Sequence, residues 1–144
     1  MKIEIKKILP AAKMPTKGTE GAACFDLYSA EDVDIWSYSP RVKVSTGLAI
    51  EIPEGYCGRV YSRSSAFLRG LDIGSLVIDC DYRGELFIMV GAFAGDLDTQ
   101  RIEIKKGERI AQLKIEKLVP TEFEWAEELS QTKRGAGGYG STGR

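Results

Sequence analysis

The sequence predicts an all-β fold, a jelly-roll-like sandwich or barrel. Three observations predict it: apolar residues recur at period two in short runs, turn residues separate the runs, and helical periodicity is thin. Ile3, Ile5 and Ile8 nearly alternate, and Pro10 ends that run. Residues 25–28, Phe-Asp-Leu-Tyr, are β-prone. Residues 42–52 alternate cleanly and meet the turn Pro53-Glu54-Gly55. Residues 56–61 form another short strand candidate. Val77-Ile78 runs into the turn-rich stretch Asp79-Cys80-Asp81-Tyr82-Arg83-Gly84, and residues 86–90 follow as an unbroken apolar run. Ile102-Glu103-Ile104 leads through Lys106-Gly107-Glu108 to a strand over 109–119, and residues 123–125 are expected to end the sheet. The single helical stretch, 62–68, makes one or two turns, with Ser64 or Ser65 as its N-cap.

The last eleven residues cannot be core. Arg134-Gly-Ala-Gly-Gly-Tyr-Gly-Ser-Thr-Gly-Arg144 holds five glycines and no aliphatic residue larger than alanine. Glycine loses the most backbone freedom on ordering, so such a tail is expected to stay mobile until something binds it. It nevertheless carries cations at both ends, one aromatic ring, two hydroxyls and thin backbone able to approach an anion. We therefore divide the chain into one β domain, 1–133, and a flexible flap, 134–144, closing over a ligand with a ring and phosphates. Gly135-x-Gly137-x-x-Gly140 fits the dinucleotide-binding spacing, but that fingerprint needs a strand before it and a long helix after it, and the sequence ends four residues later. Gly140-Ser141-Thr142 places a serine where a phosphate-binding P-loop needs lysine.

Composition narrows the chemistry. A chain of 144 residues, 43% hydrophobic and 28% charged, suits one globular domain with a core. A net charge of −1 supplies no basic field for nucleic acid or an anionic membrane, and no apolar run approaches a membrane span. The N-terminus alternates charge with isoleucine and has no signal-peptide character. Cys24, Cys57 and Cys80 lack metal-site spacing and read as reduced thiols of an intracellular protein. Histidine is absent, which removes the usual Ser-His and Cys-His nucleophiles and imidazole metal sites. Proton chemistry then falls to carboxylate, lysine, tyrosine or cysteine, and a metal would be held by oxygens, as Mg²⁺ prefers.

Four further stretches carry candidate chemistry. Asp26 interrupts the apolar run 22–27, which suits either a polar strand position or a site carboxylate. Ser62-Arg63-Ser64-Ser65 offers hydroxyls and a guanidinium fork for phosphate oxygens, or simply a capped helix with a solvated arginine. Asp79 and Asp81 flank Cys80 beside Tyr82 and Gly84, in a turn whose extended flank can read the edge of a flat ring. Gln112 places an amide among apolar neighbours in Gly107-Glu-Arg-Ile-Ala-Gln-Leu113, where it either faces solvent or bonds a phosphate or water.

Together with the tail, these stretches resemble one family in order and spacing, the homotrimeric deoxyuridine triphosphatases (dUTPases). The most specific parts are 77–84, 107–113 and 134–143. The resemblance implies a jelly-roll subunit, a trimer with shared sites, and Mg²⁺-assisted hydrolysis of dUTP to dUMP and pyrophosphate. That reaction supplies dUMP for thymidylate synthesis and keeps uracil out of DNA. The resemblance makes Asp79 the general base, with Arg63 and Gln112 completing the catalytic set. Tyr82 packs under the deoxyribose and leaves no room for a 2′-hydroxyl. Main chain at Leu76, Val77, Ile78, Asp79 and Phe87 reads uracil. Arg63, Ser64 and Ser65 hold phosphates from a neighbouring subunit, and Gln112 contacts the α-phosphate or the attacking water. Asp26 steadies hydrated Mg²⁺ through water. In the tail, Tyr139 stacks on uracil, while Arg134, Gly140, Ser141 and Thr142 contact the nucleotide. The implied location is the cytoplasm, or the host cytoplasm or nucleus for a viral protein.

The chain departs from the family pattern at Cys24 and Leu76, where glycine is usual, at Ser62, usually proline, and at Ala66, usually leucine. Leu76 is the most consequential, because a left-handed backbone there would be strained by a leucine. Two other functions fit parts of the same pattern. One is a dUTPase-like protein with weakened catalysis that acts by binding another protein. The other is the related dCTP deaminase, which uses a glutamate on the strand after the turn. Residues 86–90, Leu-Phe-Ile-Met-Val, hold no carboxylate.

Overall fold

The computed structural model describes residues 1–37, 39–93 and 101–138. Within them lie β1 (Glu4–Lys7), β2 (Phe25–Tyr28), β3 (Val33–Trp36), β4 (Val42–Ser45), β5 (Leu48–Glu51) and β6 (Tyr56–Ser62). There follow α1 (Ser64–Leu68), β7 (Leu71–Ile73), β8 (Leu76–Ile78), β9 (Phe87–Ala92), β10 (Arg101–Ile104) and β11 (Arg109–Lys117). The fold is all-β, as expected. Period-two patterning explains why: in β10, Ile102 and Ile104 are buried while Arg101 and Glu103 face solvent.

Strand order is β2-β11-β6-β8 in a four-stranded sheet and β4-β9-β7 in a three-stranded one, with β1-β5 and β10-β3 as separate pairs. The pairings are antiparallel. Leu27, Val44, Val60, Ile88, Val90 and Ile104 are fully buried between them. Each such side chain contributes about 1.5–3 kcal/mol relative to exposure.

Four details differ from the sequence-based expectation. The run 42–52 is two strands, because Gly47 adopts φ +66° between them. A Cβ there would stand 2.9 Å from both Leu9 Cβ and Ala12 Cβ, so this close crossing needs glycine. Strands β3 and β7 were not anticipated from the sequence. The helix N-cap is Arg63, in extended conformation and without a side-chain capping bond, rather than Ser64 or Ser65. Residues 123–125 form no strand; Phe123 and Trp125 are 98% and 104% exposed.

Candidate active site

The predicted residues gather in two places. The first is a cleft of about 280 Å³ between β8 and β9, lined by Leu76, Val77, Ile78, Asp79, Tyr82 and Phe87. Lys43, Glu85, Leu86 and Met89 also line it; none of these was singled out from the sequence. Leu76 lies within β8, opposite Val60 on β6, so its backbone is extended and carries no left-handed strain. Asp79 directly follows β8 and starts the turn, its carbonyl accepting the Tyr82 N–H at 3.2 Å. The Tyr82 ring folds back over Gly84, where a Cβ would come within 2.6 Å of the ring carbon Cζ. Its hydroxyl donates to the Glu85 carbonyl at 2.9 Å. Arg83 donates to the carbonyls of Cys80 and Tyr82 and pairs with Glu51 at 3.2 Å, closing the turn from outside. The cleft thus joins an apolar floor to a carboxylate, beside an aromatic ring tethered by its own turn. Such a slot suits a flat heterocycle and an attached sugar.

The second place lies where β2, β11 and β6 run side by side. Gln112 on β11 stands opposite Asp26 on β2 and Tyr61 on β6. Its amide donates to the Ser62 carbonyl at 2.8 Å. Asp26 is 8% exposed, and its two carboxylate oxygens are held by Arg63 Nε at 2.9 Å and Arg109 Nη1 at 3.3 Å. Arg63 also donates to Ser65 Oγ at 3.1 Å and to the Arg109 carbonyl at 3.0 Å. Ser64 and Ser65 are exposed at the start of α1. Two guanidinium groups on one carboxylate leave a local excess of positive charge beside serine hydroxyls, an arrangement suited to phosphate oxygens. Arg109 was not named as a site residue from the sequence; alone on a strand it carried no distinguishing signal.

Within the chain these two places are apart. Ile78, next to Asp79, pairs with Gly58 near the start of β6. Arg63 follows the end of that strand, five residues on, or roughly 17 Å at strand spacing. In the tail, Arg134 Nε donates to the Gly137 carbonyl at 2.9 Å on the exposed surface. Tyr139, Gly140, Ser141 and Thr142 lie outside the described residues. A further groove of about 350 Å³ runs along β1 and β5, edged by Arg83, and contains none of the candidate catalytic groups.

The dUTPase family model matches residues 11–143. The deoxyuridine 5'-triphosphate nucleotidohydrolase of Paramecium bursaria Chlorella virus 1 is 44% identical over 140 residues, covering 96% of each chain. A mutant of Staphylococcus bacteriophage 80alpha dUTPase, solved with dUpNHpp, is similar at a TM-score of 0.87 and 30% identity, over 99% of both chains. The dUTPase of phage phi11 of S. aureus, solved as a mutant that reveals coordination of a structural Mg(II) ion, is similar at a TM-score of 0.79 and 26% identity. That match covers 89% of this chain and 98% of that one.

Proposed function

This chain belongs to the dUTPase family and is a dUTP diphosphatase, and we propose that it works through sites shared between the subunits of a homotrimer. The observation that carries this reading is the separation of Asp79 from Arg63 along β6. A nucleotide whose base sits beside Asp79 would have to stretch along most of β6 to reach Arg63 of the same chain, whereas the Arg63 end of a neighbour can be brought directly against it. Two further features support an assembly. Phe123 and Trp125 are bare, and an apolar groove of about 240 Å³, lined by Ile3, Met14, Phe25 and Ile115, lies open on one protomer.

In the proposed mechanism, main chain at Leu76, Val77, Ile78 and Phe87 reads the uracil edge. Tyr82 lies against C2′ of the sugar. Asp79 accepts a proton from the attacking water as that water adds to the α-phosphorus, and pyrophosphate leaves. A carboxylate base needs no histidine, and positioning with charge neutralisation does most of the catalysis in displacements at phosphorus. Arg63, Ser64 and Ser65 hold phosphate oxygens, and Gln112 orients the water or the α-phosphate. Arg134, Tyr139, Gly140, Ser141 and Thr142 close over the nucleotide from the tail, excluding water at the cost of ordering entropy.

Among the described residues no group of three or more acidic or cysteine side chains could cage a metal. Both oxygens of Asp26 are engaged by arginines, so Asp26 would contact Mg²⁺ only through water, and the substrate phosphates would supply the negative charge and most of the direct ligands. Bound there, Mg²⁺ would offset the charge of the phosphates. We also assign the protein to the cytoplasm, or to the host cytoplasm or nucleus if it is viral; three free thiols, one of them buried, support a reducing compartment. Its product supplies thymidylate synthesis, and its consumption of dUTP keeps uracil from DNA.

Pyrophosphate release from dUTP, dTTP, dCTP and UTP, with and without Mg²⁺, tests the reading. Strong preference for dUTP, lost without the ion, is expected. Release of ammonia from dCTP would favour a deaminase, although β9 presents only Phe-Ile-Met-Val-Gly-Ala. Hydrolysis of none of the four would favour a protein-binding role.

A further inference from the structure

We propose that Glu85 is a positioning residue: it sets where the Tyr82 ring stands and thereby the discrimination between dUTP and UTP. The proposal rests on the reading above that Tyr82 abuts C2′ of the sugar.

Tyr82 is 44% exposed, so core packing does not hold its ring. Two local features do. Its hydroxyl end lies against Gly84, and its hydroxyl donates to the main-chain carbonyl of Glu85 at 2.9 Å. The ring is therefore only as well placed as that carbonyl. Glu85 is in turn anchored at long range. Its carboxylate accepts the Ser45 hydroxyl and the Gly47 N–H, the latter at 3.0 Å. Ser45 is buried, and Gly47 is wedged against Leu9 and Ala12, so both donors belong to rigid structure. The next residue continues the seam: Leu86 N–H donates to the Leu48 carbonyl at 2.7 Å, and Thr46 Oγ1 donates to the Leu86 carbonyl at 2.5 Å. The connection between β4 and β5 thus fixes the end of the hairpin, and Glu85 is the side chain that carries the fixation to the tether of the ring.

The carboxylate oxygen matters as the shared acceptor of two donors from rigid structure, which would otherwise be left unpaired. Loss of it frees residue 85 to shift, and the tyrosine hydroxyl follows its carbonyl. A small retreat of the ring opens space for a 2′-hydroxyl, and misplacement of about 1 Å is enough to alter rates strongly. Nothing in this chain of contacts touches the α-phosphorus, so Glu85 acts through Tyr82 and not on the reacting atoms.

The test is the ratio of kcat/KM for dUTP to that for UTP in the full-length protein. A merely structural loss lowers the active fraction and both rates together, leaving the ratio unmoved. Glu85→Ala should lower the ratio about tenfold, equivalent to about 1.4 kcal/mol of differential transition-state binding. Glu85→Gln, whose amide oxygen can still accept both bonds, should keep it near wild type. An unchanged ratio in Glu85→Ala, with Tyr82→Ala collapsing it, overturns the positioning role alone. An unchanged ratio in Tyr82→Ala overturns the reading of Tyr82 and this proposal with it. Should Glu85→Ala fail to fold, Ser45→Ala decides: a drop of the ratio by a few-fold supports the proposal, and a wild-type ratio overturns it.

Discussion

Asp79 and Arg63 flank opposite ends of one strand. Ile78, which precedes Asp79, is paired with Gly58, whereas Arg63 follows Ser62 at the far end of β6. In the proposed trimer, a site that uses both residues on one nucleotide draws them from two subunits.

Mixing therefore distinguishes shared from private sites. Asp79→Asn alone should cost about 10²–10⁴-fold in turnover, the usual contribution of a positioned base. Arg63→Ala should also be nearly inactive. Co-refolded in equal amounts, they should regain activity, with about a quarter of sites complete by random assortment. Pyrophosphate release no higher than the sum of the separate variants would exclude sharing.

Gly84 is kept small by the ring above it. A methyl group there meets Tyr82 Cζ at 2.6 Å and must displace the ring. Gly84→Ala should raise KM for dUTP about tenfold while leaving the urea midpoint close to wild type, because the turn is exposed. An unaltered KM would mean that the ring has freedom the packing denies it.

Gly47 should behave oppositely, as a stability position. Its φ of +66° and its 2.9 Å approach to Leu9 and Ala12 oppose any side chain. Gly47→Ala should destabilise by about 2–4 kcal/mol, combining backbone strain with overpacking. Urea denaturation measures this; a loss below about 0.5 kcal/mol would show that the crossing relaxes easily.

Truncation of 134–144 should leave an oligomer of unchanged size by gel filtration, with activity reduced about tenfold or more. Equal turnover by the truncated and full-length proteins would remove the flap from the mechanism.

Glu116 offers a titration on the outer face of the sheet. Its carboxyl is held below the ordinary glutamate value, first by Lys114 at 3.1 Å and then by the Tyr61 hydroxyl at 3.1 Å, with Arg59 adding its charge. A depressed carboxyl pKa adds stability above the unfolded-state value, and that stability is lost as pH falls through the folded-state value. Lys114→Met should move the Glu116 titration upward, as read by carboxyl carbon shifts in NMR. A titration that does not move would show that Lys114 does not control it.

Much of this molecule is legible in its residues alone. Alternation at Ile102 and Ile104, the turn at Asp79 to Gly84, and the serine pair after Arg63 each depend on neighbours within a few positions. The chemistry they imply, a carboxylate base with an arginine and serine anion cradle, comes from the family these stretches resemble, and the lack of histidine is compatible with it. Residues 123–125 misled because apolar, aromatic character signals burial without saying against what. Only the tertiary structure sets Gln112 between Asp26 and Tyr61, adds Arg109 to the Asp26 clamp, and anchors Glu85 on Ser45 and Gly47. The reason is range. A turn or an alternating run is specified by local sterics and solvent preference, whereas strand register between segments some 40 to 90 residues apart is chosen by how the whole core packs.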